Sequence, residues 1–446
     1  MAGVNDIDTL VVLMFENRSF DHVFGHLRHP AFGNRPDVEG LRDPATTTRY
    51  DNVFENQVFK PFPMDDGVFE HDLPHSRNTI EQQLAFLNGQ ATMSGFVSSY
   101  FARSHSVVVD PPPMGFLKPA AVPVSGFLAA EYGLCNQWFA PLPTGTQPNR
   151  SMAFAGESLI EDNAGLIIPN NGLVLDWLER HGVRWRVYHS GISFFLLFNS
   201  LHVTGPNFRN LKLLAHDFQT EADNSAPQVI FIEPEYEDTP VHFGATPNDN
   251  HPPLAMGPGE MLLHNVYTAL VSNPDRWAKT LLVVTYDEHG GFFDHVEPAK
   301  VRYPPPPGAR FTKAFETTGV RVPTLLASPW IERGATPDDL FDHTSILQFL
   351  AEKFAGGPQN YSAQVTARRQ QGIASLSAAL VEPQRRQDLP LAPAHPIVAT
   401  SVMRGGDKKS LSENQEAFAV AAREMLNKDR AGTLARFPEL ALLGKA

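Results

Sequence analysis

The chain has 446 residues, 42% apolar and 19% charged, which excludes a disordered or fibrous protein and fits one large α/β domain or about two to three smaller units. Its 36 Lys and Arg against 49 Asp and Glu leave a net charge of −13; such a chain repels nucleic acid and anionic membrane at long range, so a phosphate-bearing substrate must be caught by a local site. The sequence has no run of about 18 apolar residues long enough to span a membrane, and the lone Cys135, read as a buried apolar residue, allows no internal disulfide and no cysteine-based zinc cluster.

Polar Met1–Asp8 leads straight into Leu10–Phe15 without a basic or apolar leader. The chain as written is therefore expected to be soluble and cytoplasmic, in peripheral contact with a membrane at most; one trimmed of an export signal would begin the same way and be secreted or periplasmic. Leu10–Phe15 is a short continuous apolar run ending abruptly in Glu16-Asn17, the pattern of a strand buried on both faces. Arg28–Asp72 has no sustained period and much Pro, Asn and Asp, and Asp110–Pro113 is a proline run; both read as ordered loop. Leu173–His181 carries apolar residues on one helical face and is followed by Gly182 as a C-cap signal. Trp185–Tyr188 reads as a strand with His189 at its exit, and Val229–Ile232 as another, ending in Glu233-Pro234. Gly259–Ser272 has the helical period and is closed by Pro274. Leu281–Val284 ends in Thr285-Tyr286-Asp287-Glu288, and Val322–Leu326 ends in Ser328-Pro329. Strands alternating with helices predict an α/β sheet covered on both faces, with ligands at the carboxyl ends of the strands. Past residue 358 the strand pattern stops. Gln359–Ala399 is polar, and Ser410–Asn427 reads as an Ala-rich amphipathic helix capped by Ser410 or Ser412. The expected division is a catalytic domain over 1–358 and a C-terminal extension over 359–446, largely loop and helix, that is not itself catalytic.

Four polar clusters stand at these strand ends or in loops beside them: Glu16–His22, Thr144–Arg150, Asn248–Pro253, and Asp287–Gly291 followed by Asp294-His295. Each has a bland explanation alone. Asp287-Glu288 could be a solvated strand terminus, Glu16 a helix cap, Thr146 a turn residue, Asp249–Pro252 an Asx-turn and His343 a cap neighbour. Their convergence argues otherwise. Adjacent carboxylates at a buried strand end cannot both stay ionised without a compensating cation. Glu16, Asn17, Asp287 and Glu288 would form an oxygen-rich site suited to Mg, Mn or Ca, and added histidine keeps Zn or Fe open.

Six segments occur in order: E-N-R-S-F-D-H-V-F-G (16–25), T-Q-P-N-R (146–150), N-D-N-H-P-P (248–253), T-Y-D-E-H-G-G-F-F-D-H (285–295), R-V-P-T-L-L-A-S-P-W (321–330) and D-H-T-S-I-L-Q-F (342–349). Together they resemble the phosphoesterase family of bacterial and plant non-specific phospholipases C and acid phosphatase A, from about residue 8 to 355. The resemblance implies an alkaline-phosphatase-like α/β core. It places Thr146 at the Ser/Thr nucleophile and Glu16, Asn17, Asp287 and Glu288 at the ligands of one or more divalent metal ions. His75, in D-L-P-H-S, and His251 match histidines around the phosphoryl group; Asp294 joins the catalytic set, and Asn149, Asp249, His289, His295 and His343 are expected to bind substrate or phosphate. The chain departs from the family in Thr144-Gly145, where Gly-Pro usually precedes the nucleophile, and in Val23, where Tyr is common.

A Thr hydroxyl becomes a useful nucleophile when a divalent ion lowers its pKa and orients it. The expected function is therefore phospholipase C-type cleavage of phosphodiesters such as phosphatidylcholine through a phospho-threonine. Acid phosphatase action on small phosphate monoesters is the alternative on the same site, with a degenerate binding protein a remoter one. The loops Arg28–Asp72 and Ser193–Ser225 are expected to govern substrate choice.

Overall fold

Seven strands form the main sheet among the residues that the computed structural model describes, which are 3–103, 107–198, 205–240, 246–380, 384–394 and 412–443. In chain order they are β1 (Thr9–Phe15), β2 (Gly133–Leu134), β3 (Trp185–His189), β4 (Phe208–Asn210), β5 (Val229–Glu233), β6 (Thr280–Tyr286) and β7 (Leu325–Ala327). Across the sheet the order is β4-β3-β5-β1-β6-β7-β2. The five strands from β4 to β6 are mutually parallel, and β7 runs antiparallel to both neighbours. Successive side chains of a strand face opposite sides, and every residue of β1, β5 and β6 is buried. Both faces of the central sheet are therefore covered, as the continuous apolar runs predict.

The run at Val322–Leu326 has a different outcome. Its strand is Leu325–Ala327 and lies antiparallel on β6, with Leu282 opposite Ala327 and Val284 opposite Leu325. Ser328-Pro329 therefore leaves at the end of the sheet remote from Asp287-Glu288, while the residues before β7 stand at the functional end. There Thr324 Oγ1 and Thr285 Oγ1 are 2.7 Å apart, and Arg321 is fully buried. An apolar run carries no sign of direction. β2 and β4, two and three residues long, are too short to give any period.

The helices needed below are α1 (Phe20–Phe24), α2 (Arg77–Leu84), α3 (Thr146–Ala155), α4 (Gly257–Val271), α5 (Thr344–Phe354) and α6 (Glu413–Lys428). Ser19, not Glu16, caps α1, accepting from His22 N. Residues 41–116 build a satellite core from Leu41, Tyr50, Ile80, Leu84, Phe96 and neighbours, joined to the fourth motif through Phe293. Among its described residues the extension past residue 358 has no separate core. Val365, Leu376, Ala417, Phe418, Ala421 and Phe437 belong to the same apolar cluster as the central strands. Ser412 caps α6 in a capping box with Gln415; Ser410 lies outside the described residues.

Candidate active site

β1 and β6 lie side by side and end together, so Glu16-Asn17 and Asp287-Glu288 leave the sheet as neighbours. Asn17 turns with φ +58°, in the left-handed region that Asn tolerates better than most residues. Its N–H donates to Asp287 Oδ1 at 3.1 Å. Gly290, at φ +61°, passes directly against the Asn17 carbonyl, where a Cβ would collide. The fourth motif thus needs glycine there for the chain to clear the first motif.

Asn149 is committed to its own loop: it donates to the carbonyls of Leu142, Thr144 and Gly145 and accepts from Leu142 N at 2.9 Å. It shapes the turn before Thr146, and these contacts leave its amide no hand for the substrate expected there. Thr146 opens the helix, fully buried, with its Oγ1 3.3 Å from Asn17 Oδ1. One turn later Arg150 lies on the same helical face. Its Nη2 is 3.0 Å from Glu16 Oε1, its Nε 3.3 Å from Asp287 Oδ2 and its Nη1 donates to Tyr236 Oη at 3.1 Å. The guanidinium also lies over the rings of Phe194 and Tyr236, 4.5 and 5.0 Å from their centroids.

The remaining oxygens fit a cation. Asn17 Oδ1 is 3.0 Å from Asp287 Oδ1 and 3.1 Å from Glu288 Oε1, with Thr146 Oγ1 beside it, and Glu16 Oε2 is buried without a hydrogen-bond partner. Acceptors this close repel one another. Either the Asn17 amide turns over, pointing its NH2 at the carboxylates and its oxygen at His251 Nε2, or a positive ion sits among the oxygens. An all-oxygen donor set of this kind suits a hard divalent ion. Burial pushes the Glu16 and Asp287 carboxyls up, against the pull of Arg150. Burial also acts upward on Glu288, but His75 and His289 outweigh it and hold its carboxyl below the ordinary value.

His75 and His251 share one design. Nδ1 of each faces a main-chain carbonyl, Leu73 O at 2.7 Å and Pro252 O respectively. The His251 Nε2 contacts the Asn17 amide at 2.9 Å, and Nε2 of His75 remains for a ligand. Burial lowers both pKa values, but Glu288 and Asp72 raise that of His75 on balance, and Asp72, Asp238, Glu16 and Asp249 raise that of His251 well above its ordinary value. Both rings are poised to carry a proton. Asp249 makes the Asx-turn, accepting from His251 N at 3.1 Å and from Glu237 N at 2.6 Å. It positions His251 from behind.

His289 and His343 also stand behind the cluster, where substrate contact had been expected. His289 Nε2 meets Gln83 Oε1 at 2.8 Å while its Nδ1 lies 3.3 Å from Glu288 Oε2. His343 accepts from Trp138 Nε1 at 3.2 Å and donates from Nε2 to the Asp287 carbonyl at 2.8 Å. Burial drops its pKa to about 4, so the ring is neutral. These histidines fix the carboxylate-bearing chain.

Asp294 and His295 belong to a different constellation. Arg321 lies 3.0 Å by its Nε from Asp294 Oδ1 and 3.3 Å by its Nη2 from Asp21 Oδ1, and His295 Nδ1 is 2.6 Å from Asp21 Oδ2. Ligand atoms of Asp21, Asp294 and His295 lie within 4.8 Å of one another, but Arg321 and His295 already match the two carboxylates in charge. The network ties the first, fourth and fifth motifs together. None of its hydrogen bonds reaches Thr146, Asn17 or Asp287, so the catalytic role expected of Asp294 and the phosphate contact expected of His295 have no geometry here.

Three residues escaped the sequence reading. Arg150 was visible as the last letter of T-Q-P-N-R, four residues after Thr146 on a helix. Gln83 had no signal. Asp238, five residues beyond the end of β5, offers a ligand atom within 4.8 Å of those of Glu16 and His251; its place at a strand exit was the available clue.

A model of the phosphoesterase family matches residues 7–355. The chain belongs to the phosphoesterase family. This phosphoesterase is 34% identical over 376 residues to non-specific phospholipase C1 of Arabidopsis thaliana, covering 78% of this chain and 67% of that protein. Non-specific phospholipase C6 of the same plant is 31% identical over 97% of this chain and 83% of its own length, so that alignment takes in most of the C-terminal extension. Non-hemolytic phospholipase C of Burkholderia pseudomallei is 27% identical, over 79% of this chain and 55% of the bacterial protein. Among solved structures, an alkaline phosphatase superfamily protein from Vibrio parahaemolyticus matches 52% of this chain and 60% of its own, with 12% identity and a TM-score of 0.30.

Proposed function

We propose that this phosphoesterase cleaves the glycerol side of phospholipid head groups, as a phospholipase C does, through a covalent phospho-threonine at Thr146. The observation that carries the reading is the position of Thr146 Oγ1, 3.3 Å from Asn17 Oδ1 at the edge of a buried oxygen cluster. The phospholipase C names of its relatives supply the substrate class.

Thr146 is the first residue of α3, so a phosphoryl group on its Oγ1 lies at the positive end of the helix. When bound among Asn17, Asp287 and Glu288, with Glu16 beside them, a divalent ion supplies positive charge and lowers the pKa of the Thr146 hydroxyl. Arg150 holds the outer oxygens of Glu16 and Asp287. Thr146 releases its hydroxyl proton to solvent water, Oγ1 attacks phosphorus in line and the bond to the glycerol oxygen breaks. His75, the more exposed of the two proton-carrying rings, gives its proton from Nε2 to that oxygen, releasing diacylglycerol. His251, deeper and beside Asn17, keeps its charge near the non-bridging oxygens. His75, now neutral, takes a proton from water. The water attacks phosphorus, the bond to Oγ1 breaks, Oγ1 takes a proton back from solvent water, and the phosphorylated head group leaves.

Hydrolysis of p-nitrophenyl phosphorylcholine and of p-nitrophenyl phosphate, each with and without added Mn²⁺ or Mg²⁺, tests this reading. Metal-stimulated turnover of the diester, tenfold or more above the monoester in kcat/KM, is expected. A preference for the monoester would make the protein an acid phosphatase, and no turnover of either would make it a binding protein.

A further inference from the structure

α6 comes from the far end of the chain, yet its first two turns touch three parts of the site. Asn414, buried in its first turn, accepts from Gln147 Nε2 at 2.9 Å. Gln147 follows Thr146 directly, and its N–H is capped by Asn163 Oδ1 at 2.8 Å. Its side chain is also locked to Ala164, donating to the carbonyl at 2.9 Å and accepting from the N–H at 3.0 Å. Ser412, the α6 cap, donates from Oγ to Asp238 Oδ1 at 2.8 Å, and Asp238 stands with Glu16 and His251. Phe418 then packs on Phe194 and Tyr236, with ring centroids 5.8 and 6.0 Å away. Those are the two rings that enclose Arg150.

We propose that α6 is part of the catalytic unit, with Asn414 and Ser412 as positioning residues: Asn414 fixes the turn that carries Thr146, and Ser412 fixes Asp238 beside Glu16 and His251. An attacking oxygen must be held in line with its target, and displacement by about 1 Å can cost on the order of a hundredfold in rate. Thr146 is at the start of its helix, where the first turn has free N–H groups and frays most easily. Gln147 is pinned there from two sides, by the loop at 163–164 and by α6. The inference does not depend on which ester is the substrate, because it concerns the placement of the nucleophile.

The discriminating pair is Asn414→Leu and Asn414→Asp in the full chain. Leucine removes the acceptor at nearly the same size. Aspartate keeps the acceptor and stands in the first turn of α6, where a negative charge is favoured by the helix dipole. Asn414→Leu is expected to lower kcat about tenfold or more with KM within about twofold, with bound Mn²⁺ per chain and the thermal midpoint unchanged, and Asn414→Asp is expected to recover most of the loss. Ser412→Ala should act in the same direction and Ser412→Thr restore activity. Wild-type kcat in Asn414→Leu would overturn the proposal, as would an equal loss in both Asn414 variants or a loss of kcat that only follows a fall in the thermal midpoint. If no ester tested is turned over even by the wild type, the functional reading fails instead, and burst labelling of Thr146 by a p-nitrophenyl phosphonate reads out the pair: slower labelling of the leucine variant supports the proposal and equal labelling overturns it.

Discussion

Arg150 Nη2 stands 3.0 Å from Glu16 Oε1, both side chains almost wholly buried. The same guanidinium reaches Asp287, so one cation on the helix of Thr146 holds carboxylates that follow β1 and β6. Replacing it with Met leaves two buried negative groups facing an apolar side chain, a loss of about 3–5 kcal/mol when the partner of a buried pair is removed. Arg150→Lys keeps the charge without the planar fork and should recover only part of it. Urea unfolding of the metal-free protein measures both; a loss below about 1 kcal/mol in Arg150→Met would show that the pair is not holding the site together.

Much of this arrangement was legible in the sequence because parallel β-strands announce themselves. Apolar runs ending in Glu16-Asn17 and Asp287-Glu288 read as buried strands with polar carboxyl ends, and the need to compensate their carboxylates groups the four residues in one site. The direction of β7 could not, since Val-Pro-Thr-Leu-Leu-Ala reads alike both ways. Nor could the roles of Asp294 and His295. They share a motif with Asp287, but two intervening phenylalanines and the turn at Gly290-Gly291 carry them to Arg321. A motif records which residues travel together, and side-chain direction decides which of them meet. The extension reads as an appendage because its helix has one apolar face; that the polar end of this face meets Gln147 and Asp238 depends on a contact hundreds of residues away.

Asp294→Asn tests that division of labour. It removes one charge from the Asp21–Asp294–His295–Arg321 network and leaves Arg321 undercompensated in the interior, so stability should fall by about 3 kcal/mol. The folded fraction should keep its kcat within about threefold. Denaturation combined with active-site-normalised kinetics checks both. A hundredfold fall in kcat at full stability would restore Asp294 to the catalytic set.

Glu233, at the exit of β5, predicts a pH effect. Burial pushes its carboxyl up to about 7, and Oε2 has no hydrogen-bond partner among the described residues. In the unfolded chain the proton leaves near the ordinary 4.5, so between there and about 7 the unfolded state binds fewer protons and stability falls as pH rises. Glu233→Gln removes the titration. It should be more stable than wild type at pH 8 and indistinguishable at pH 4. Parallel stability curves for the two proteins across this range would contradict the assignment.

The oxygen cluster predicts the response to metal. Asp287→Asn removes one negative charge from this cluster and should reduce activity by about a hundredfold or more, with less metal retained after dialysis. Elemental analysis of the dialysed variant, alongside kinetics at saturating Mn²⁺, measures both. Full activity in a wild-type protein shown by elemental analysis to be metal-free would rule the ion out of the mechanism.

The stereochemical course at phosphorus distinguishes a phosphoryl group carried by Thr146 from one passed straight to water. Each in-line displacement inverts configuration, so transfer to Thr146 Oγ1 and then to water gives net retention, whereas direct attack by water gives inversion. A phosphodiester substrate chiral at phosphorus, turned over in isotopically labelled water by the full chain with its metal, is the measurement. Retention is expected if Thr146 is the nucleophile; net inversion would rule that out and leave Thr146 as no more than an oxygen at the edge of the metal site.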